Sequence, residues 1–400
     1  MKLYIVLALS LLILLIIWII ITNNTKEHME KSSTEIYTPL VVKPLTYLNN
    51  QIINGTDGNT HILYELLATN YGAAPSSLNV VDIMNENNTS LLKITNVENN
   101  MAGLSSQYNT SNSIVPGETK IIFIELSIKK NMTPKKLIHY IEGTGSIAPG
   151  DNIPKIIKYF VEPFVLNPTS MVFVDSPLRG KYSMINACCV SKTHRRTVLP
   201  INNKVSLSQR FALDIIRMND NGEYFNGDPK NLQNWICYGN NIYSMTAGTV
   251  HHTNDGLNDQ LPGSLPDPSQ YRSTDDVLGN SIVIQYNNMF ILYAHLVNNS
   301  LRVKKGDIVY PGQLLGKLGN SGNSSGPHLH IHICDSPLIF GSNGIGFGFK
   351  NFIHYGNYDI QRFDNVDSVT ELIGNNILSS SVNPTKRMNE TPMQGDIVIF

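Results

Sequence analysis

The sequence predicts an all-β protein that begins with one membrane-spanning helix. Two observations support the β assignment. Short runs of β-branched and aromatic residues alternate with turn-forming residues along most of the chain, and no long stretch beyond the N-terminus has the 3.6-residue period of an amphipathic helix. At 400 residues, the chain is long enough for two or three domains.

The charge balance narrows the classes of partner. The chain carries 30 Lys and Arg against 31 Asp and Glu, a formal net charge of −1. Proteins that bind nucleic acid through its phosphates are usually far more basic. We therefore expect no nucleic-acid partner.

The N-terminal segment is the expected membrane helix. Residues 3–21 are apolar except for Ser10, and as a helix they would span about 28 Å, close to the thickness of a bilayer core. The run ends without the small-residue cleavage site typical of a signal peptide. Residues 1–22 are therefore predicted to be a transmembrane anchor, with a cleaved signal as the alternative. The flanking charges do not decide the orientation.

Residues 23–35 are polar and are predicted to be a linker, and residues 36–165 follow as a domain of short strands. Three strand signals carry this prediction, at residues 61–67, 120–126 and 156–161. Strands at such spacing favour a small antiparallel β-sandwich. Its role is open, and a carbohydrate-binding module is one possibility.

The second half remains β-rich and gains glycine and histidine, which predicts a second domain at residues 168–365. Four strands are expected there, at residues 210–216, 281–286, 290–296 and 329–333. Residues 366–400 are poorly patterned and are predicted to form a C-terminal tail.

The four cysteines leave two alternatives. Cys188 and Cys189 are adjacent and seldom pair with each other, because a disulfide usually joins Cα atoms farther apart. A bridge from one of them to Cys237 is one alternative, and free buried thiols are the other. Neither these cysteines nor Cys334 form a CxxC metal-binding pair.

The strongest chemical signal is a glycine-rich turn that leads into alternating histidines. Residues 319–327 are rich in Gly, Ser and Asn, and His328, His330 and His332 follow. Because side chains alternate along a strand, the three histidines share one face, opposite Leu329, Ile331 and Ile333. Imidazoles about 6.6 Å apart on one face can converge on a metal ion or a substrate group.

A set of linked motifs resembles the lysostaphin-type, or LytM-domain, zinc endopeptidases. The motifs are a YAHL run at 293–296, a V-x-x-G-D turn at 303–307, a Gly-Gln pair at 312–313 and the G-x3-G-P-H-L-H run at 322–330. Their order and spacing resemble the family pattern from residue 239 to 333. The resemblance implies a β-sheet peptidase domain of the duplicated hybrid motif type.

The family pattern implies a role for each matching residue. His330 corresponds to a zinc ligand and His328 to the catalytic base. His295, in the YAHL run, corresponds to the residue that orients water and stabilises the oxyanion. The stretch 210–214 matches the family's H-x-G-x-D motif, and Asp214 corresponds to a second zinc ligand.

One position departs from that pattern. Arg210 stands where the family has a zinc-binding histidine, and a guanidinium has no lone pair to give to a metal. Either another residue supplies the third ligand or the site has lost its zinc. The H-R-R run at 194–196 followed by Q-R-F-A-L-D at 209–214 is similar to a subgroup of LytM-like proteins, which makes His194 the leading candidate ligand. Three lesser candidates are His251, His252 and His332.

The resemblance implies a Zn²⁺-dependent endopeptidase that hydrolyses peptide bonds of peptidoglycan. Peptidoglycan lies outside the cytoplasmic membrane, so we expect the domains on the extracytoplasmic side, held by the N-terminal helix. The alternative is a catalytically degenerate LytM-like scaffold or activator whose partners are other cell-wall hydrolases. Arg210 favours that alternative, whereas the retained Asp214, His295, His328 and His330 favour the enzyme.

Overall fold

The structure is a computed structural model, and it describes residues 35–45, 52–103, 111–130, 132–166, 171–189, 192–263, 265–358 and 384–400. The predicted membrane helix at residues 1–22 lies outside these ranges. Within them, no helix has the length and apolar character needed to cross a bilayer.

The described residues of the N-terminal half form ten strands and one 3₁₀ helix. They are β1 (Leu40–Pro44), β2 (Ile52–Asn54), β3 (Asn59–Asn70), β4 (Ser76–Met84), β5 (Ser90–Ile94), η1 (Val97–Asn100), β6 (Met101–Gly103), β7 (Ser113–Ile114), β8 (Thr119–Lys129), β9 (Lys136–Gly145) and β10 (Lys155–Val165). One five-stranded sheet has the order β1-β3-β8-β6, with β2 on β3, and the other has the order β10-β9-β4-β5, with β7 on β4. A single hydrophobic core draws residues from both sheets, so the two sheets form a sandwich.

Strand β3 is buried on both of its faces. Ile62, Tyr64 and Leu66 point into the sandwich core, whereas Leu63 and Glu65 alternate with them and point outward. These outward residues are also buried, with 0% and 1% exposure. The outer face of this sheet must therefore be covered by another part of the chain.

The C-terminal half supplies that cover. Its elements are β11 (Val172–Val174), β12 (Lys181–Ile185), α1 (Lys192–Arg195), β13 (Leu199–Ile201), β14 (Lys204–Ser206), β15 (Leu213–Arg217), η2 (Leu232–Asn234), β16 (Asn241–Tyr243), β17 (Gly248–Asn254), η3 (Pro268–Gln270), α2 (Thr274–Val277), β18 (Asn280–Tyr286), β19 (Met289–Leu296), β20 (Ile308–Val309), β21 (Leu314–Lys317), β22 (Leu329–Cys334), η4 (Ile339–Gly341), β23 (Phe347–Phe349), β24 (Phe352–Asn357), β25 (Thr385–Arg387) and β26 (Asp396–Ile399).

A ten-stranded sheet organises this half, in the order β20-β17-β18-β19-β22-β15-β12-β26-β24-β25. The four strands predicted from sequence are present as β15, β18, β19 and β22. β15 begins at Leu213 rather than at Arg210, because the preceding residues form turns in which Arg210 N donates to Leu207 O and Ala212 N to Gln209 O.

The C-terminal residues differ from the predicted tail. β26 lies inside the large sheet, where Val398 pairs with Tyr182 of β12 and with His354 of β24. Ile397 and Val398 are fully buried. The run is too short to stand out as a strand in sequence, and its position between two distant strands stabilises it.

The cysteine pairing also differs from the expectation. Cys188 and Cys189 form a disulfide with each other, across a cis peptide bond. Cys237 is free and buried, and its thiol donates to the carbonyl of Pro327. The bridge considered between this cysteine and the 188–189 pair is therefore wrong.

Two apolar clusters join the halves. One combines Ile53 and Leu63 of the sandwich with the disulfide pair and Phe211. The other combines Ala102, Ile121 and Phe123 of the sandwich with Leu207. The segment 207–211 therefore packs onto the outer face of the sheet that contains β3, and the N-terminal sandwich is closely packed against the half that carries the histidines.

Candidate metal centre

The candidate site begins with two paired central strands. Asp214 of β15 lies opposite His330 of β22, and His330 in turn lies opposite Ala294 of β19. Because strand register fixes which side chains are neighbours, this pairing brings the acidic motif at 210–214 next to the histidine run. His295 follows Ala294 along β19, at the same end of the strand.

Asp214 is the centre of the polar contacts. Nδ1 of His330 lies 2.9 Å from Asp214 Oδ1, and Nε2 of His328 lies 3.4 Å from the same oxygen. The second oxygen, Oδ2, accepts a hydrogen bond from Asn186 Nδ2 at 2.9 Å and lies 3.4 Å from Nε2 of His194. Three histidines and one amide thus surround a carboxylate that is only 4% exposed.

The protonation of this cluster follows from burial and charge. Burial opposes ionisation of Asp214, but the nearby histidines outweigh it and hold the pKa of the carboxyl well below its usual range. Burial lowers the pKa of His194 to about 4, against the attraction of Asp214. For His328 the carboxylate of Asp214 overcomes burial and raises the pKa. The site therefore combines an ionised carboxylate, a neutral imidazole and a more basic imidazole.

Backbone carbonyls fix the orientation of three imidazoles. In each ring Nδ1–H donates to a carbonyl oxygen, which leaves Nε2 unprotonated in the neutral ring. The pairs are His194 with Asn186 at 2.7 Å, His295 with Ser321 at 2.7 Å, and His328 with Gly326 at 2.8 Å. Three lone pairs are consequently available to the site, and such fixed tautomers are typical of metal ligands and of bases.

Close backbone packing positions the glycine-rich turn. Gly322 has a φ of +74° and Gly279 a φ of +68°, and a Cβ added to Gly322 would lie 2.3 Å from the backbone of Gly279. Two hydrogen bonds of Ser321 Oγ stabilise the same contact: it donates to Leu296 O and accepts from Asn280 N. Only glycine fits at such a contact, which accounts for the sequence of the turn.

His295 has an unusual backbone. Its φ is +63°, in the left-handed region that non-glycine residues seldom adopt, and its N–H donates to Leu278 O. Sparsely populated backbone conformations are frequent at functional sites. Burial, together with the neighbouring histidines, keeps the pKa of His295 well below its usual range, so its ring is neutral.

Of the lesser candidates, His332 lies behind the site. Its Nδ1 lies 3.0 Å from Nε2 of His330, and the residue is fully buried. When His330 Nε2–H donates to this atom, His330 Nδ1 is left to face Asp214. His332 therefore supports a ligand candidate from behind.

His251 and His252 lie outside the cluster. They line a neighbouring cavity of about 450 Å³, and Nε2 of His252 lies 3.2 Å from Asp275. The two cavities share Leu278 and Phe340 in their walls.

Arg210 is directed away from the site. Its Nη2 donates to Glu65 Oε2 at 2.6 Å and its Nε donates to Glu65 Oε1 at 3.1 Å. Sequence reasoning missed Glu65, although a glutamate inside the apolar run 61–67 signals a buried carboxylate that needs a partner. It also missed Asn186, for which the sequence gives no signal.

The donor atoms can be tested against a metal. One ligand atom each from His194, Asp214 and His330 lie within 4.8 Å of one another, as do those of His295, His328 and His330. Two imidazoles and one carboxylate are a donor set found in catalytic zinc sites, which keep a position open for water or substrate. A cation here would favour the tautomer of His330 in which Nδ1 carries no proton. The residues present therefore fit zinc.

The site opens into a cavity of about 460 Å³. The cluster of His194, Asp214, His295, His328 and His330 lines it. Apolar side chains contribute the walls, and these are Leu199, Leu265, Val277, Leu278 and Phe340. A polar centre with apolar walls is typical of a site that binds a small organic group or a short peptide.

Comparison with known proteins identifies part of this half. Residues 235–337 match the model of Peptidase family M23. This range includes His295, His328 and His330, whereas His194 and Asp214 precede it. The chain is also 45% identical over 56 residues to the peptidoglycan DD-endopeptidase ShyA of Vibrio cholerae serotype O1, a match that spans 14% of this chain and 13% of that relative.

Two solved structures are similar. The catalytic domain of lysostaphin from Staphylococcus simulans is 20% identical, with 36% of this chain and 80% of that chain covered and a TM-score of 0.21. A catalytic domain of the prophage-encoded M23 protein EnpA from Enterococcus faecalis is 20% identical, with 34% and 73% covered and a TM-score of 0.22. Both TM-scores are low, so the family assignment rests on the sequence match at residues 235–337.

Proposed function

Because residues 235–337 form a Peptidase family M23 domain of the LytM and lysostaphin type, we propose that this chain is a zinc metalloendopeptidase that hydrolyses peptide bonds of peptidoglycan. The observation that carries the proposal is the convergence of His194, Asp214 and His330, whose ligand atoms lie within 4.8 Å of one another. His194 and Asp214 lie outside the family match, yet the fold brings them to its histidines.

These three side chains hold the metal in the proposal. When bound, zinc supplies a Lewis acid that polarises a peptide carbonyl and makes water more acidic. His194 contributes Nε2, because its Nδ1 is committed to Asn186 O. His330 contributes Nδ1, because its Nε2 faces His332. Asn186 also donates to Asp214 and so orients the carboxylate.

His328 acts as the general base. Its Nδ1–H is held by the carbonyl of Gly326, so Nε2 presents a lone pair to the cluster. Asp214, 3.4 Å away, raises the pKa of this ring despite burial. A ring of this kind takes a proton from the attacking water and later gives it to the leaving amine.

His295 orients the water in the proposal. Its ring is neutral, and Nδ1–H is committed to Ser321 O, so Nε2 accepts a hydrogen bond and does not donate one. This tautomer supports the water-orienting part of the expected role. It does not support donation to an oxyanion.

The proposal also includes a substrate and a cellular location. The curated relative is described as a peptidoglycan DD-endopeptidase, which supports stem peptides or cross-links of peptidoglycan as the substrate. The chain spans only 13% of that relative, so the substrate and the location both remain part of the proposal. We also propose that the predicted helix at residues 1–22 anchors the chain, with its domains on the extracytoplasmic side.

A scaffold or activator of other wall hydrolases is the second candidate, and the arginine at position 210 is the observation that favours it. Digestion of purified peptidoglycan by the full-length chain and by its His328→Ala variant separates the two. Digestion by the parent chain that the variant loses supports the enzyme. Folded, zinc-loaded protein that releases no peptide overturns the peptidase proposal.

A further inference from the structure

We propose that Glu65 of the N-terminal sandwich is a positioning residue for the metal centre, acting through Arg195 on His194. This inference rests on the proposed function, because it treats the cluster around Asp214 as a metal site. It gives the sandwich a role inside the catalytic unit, as the part that holds one metal ligand in place.

Glu65 is a buried carboxylate shared by two guanidinium groups. It lies on the outward face of β3, and its side chain has 0% exposure. Arg210 makes the two hydrogen bonds described above, and Arg195 Nη1 donates to Oε1. Coulombic attraction and hydrogen bonds from both arginines outweigh burial and lower the pKa of Glu65. An ionised group in such a position persists only when it is paired.

Consecutive residues face opposite partners at the end of α1. Arg195 extends into the sandwich, where Nη2 also donates to the carbonyls of Tyr64 and Ile124, both at 3.0 Å. His194 extends into the candidate site. Because adjacent Cα atoms are only about 3.8 Å apart, a fixed Arg195 fixes the backbone that carries His194.

The neighbouring arginine adds a second attachment. Arg196 Nη2 donates to Asn99 O at 2.5 Å, and the guanidinium groups of both arginines lie 5.3 Å from the ring centre of Phe123. The H-R-R run therefore divides into one ligand candidate and two anchors, and both anchors bind the sandwich.

The two candidate ligands differ in how they are held. Asp214 is fixed by strand pairing on both sides, with His330 and with Ile185. His194 lies in the four-residue helix α1, outside the described sheets, so no strand pairing holds its backbone. Loss of the Glu65 contact should therefore disturb His194 first and leave Asp214 and His330 in place.

The test measures zinc affinity by chelator competition in the full-length chain. Glu65→Gln removes the shared charge, and Arg195→Met removes the anchor while Glu65 keeps its pair with Arg210. Thr56→Val is the matched control, because Thr56 Oγ1 donates across the same junction to Asp396 but does not contact the H-R-R run. Thermal melting identifies any variant that fails to fold. If Glu65→Gln fails to fold, the zinc affinity of Arg195→Met tests the proposal.

The expected result is zinc binding about tenfold weaker in Glu65→Gln and Arg195→Met, the range seen for outer-shell partners, and unchanged in Thr56→Val. In a His194→Ala background, Glu65→Gln should cause no further loss, because its effect passes through that ligand. Folded Glu65→Gln and Arg195→Met variants that bind zinc as tightly as the parent chain would overturn the proposal.

Hydrogen exchange separates this inference from the proposed function. In zinc-free protein, the amides of residues 192–197 should exchange faster in Glu65→Gln and in Arg195→Met than in Thr56→Val. If the parent chain binds no zinc, the proposed function fails, and faster exchange in this segment still supports the positioning role of Glu65. Unchanged exchange there refutes the positioning role whatever the zinc result.

Discussion

Nη2 of Arg210 lies 2.6 Å from Oε2 of Glu65, so the residue at which the resemblance implies a family ligand pairs with the N-terminal sandwich. Neither side chain is exposed. Arg210 is paired there with Glu65, which Arg195 shares. Asp214 makes its ion pairs within the described residues with histidines. The guanidinium of Arg210 is therefore held by Glu65 and makes no ion pair with Asp214.

Arg210→His should not recreate a metal ligand. The substitution removes one partner of a buried ion pair, and we expect it to cost about 3–5 kcal/mol of unfolding free energy without raising zinc affinity. Urea denaturation and chelator competition measure the two effects. Arg272→Ala is the control, since this exposed partner of Asp276 should contribute less than about 1 kcal/mol. A stable Arg210→His variant with tighter zinc binding would contradict the assignment.

His194→Ala should weaken zinc binding by more than about 100-fold, because the proposal makes His194 a direct ligand and not an outer-shell partner. His252→Ala, in the neighbouring cavity, should leave the affinity unchanged. Both are measured by competition with a chelator of known affinity. Equal affinities for the two variants would exclude His194 from the ligand set.

His328→Ala should lower kcat for peptidoglycan digestion by about 10²–10⁴-fold while zinc content is retained. The reason is that, in the proposed mechanism, Nε2 of this residue takes the proton from the attacking water. Release of soluble peptides measures kcat, and elemental analysis measures zinc. Near-parental turnover in this variant would assign the base to another residue.

The stability of the sandwich should depend on pH through His139. This ring is fully buried and accepts a hydrogen bond from Tyr64 at 2.6 Å, and burial lowers its pKa from 6.5 to about 3. The unfolded chain therefore binds the proton more readily, and stability falls by about 1.4 kcal/mol per pH unit as the pH drops from 6.5 towards 3.

His139→Gln removes this titration, and Gln retains a polar partner for Tyr64. Urea denaturation between pH 7 and pH 4 gives the unfolding free energy at each pH. Its slope against pH should be smaller in the variant than in the parent chain by about 1.4 kcal/mol per pH unit, which corresponds to one proton. The same slope in both proteins would mean that His139 is not buried in its neutral form.

Much of the fold could be predicted from local pattern. β18, β19 and β22 are runs of β-branched and aromatic residues bounded by turns, and they lie where the sequence places them. β26 could not be predicted, because four residues gain their stability from β12 and β24, which are distant in sequence. Helix formation at residues 1–22 stays a prediction, since those residues lie outside the described part of the chain.

The candidate site could be predicted in part. The motifs name His295, His328, His330 and Asp214, and the structure brings all four into one cavity together with His194. The contact between Arg210 and Glu65 could not be predicted, because the partners are 145 residues apart and no local pattern links them. Long-range pairing is specified by the packing of β3 against the segment 207–211.

We propose that the site holds zinc through Asp214 and His330 despite the arginine at position 210. Elemental analysis of the purified full-length chain, beside an Asp214→Ala, His330→Ala double variant, tests it most directly. We expect about one zinc per parent chain and none in the folded double variant. A parent chain that remains free of zinc after reconstitution would contradict the claim.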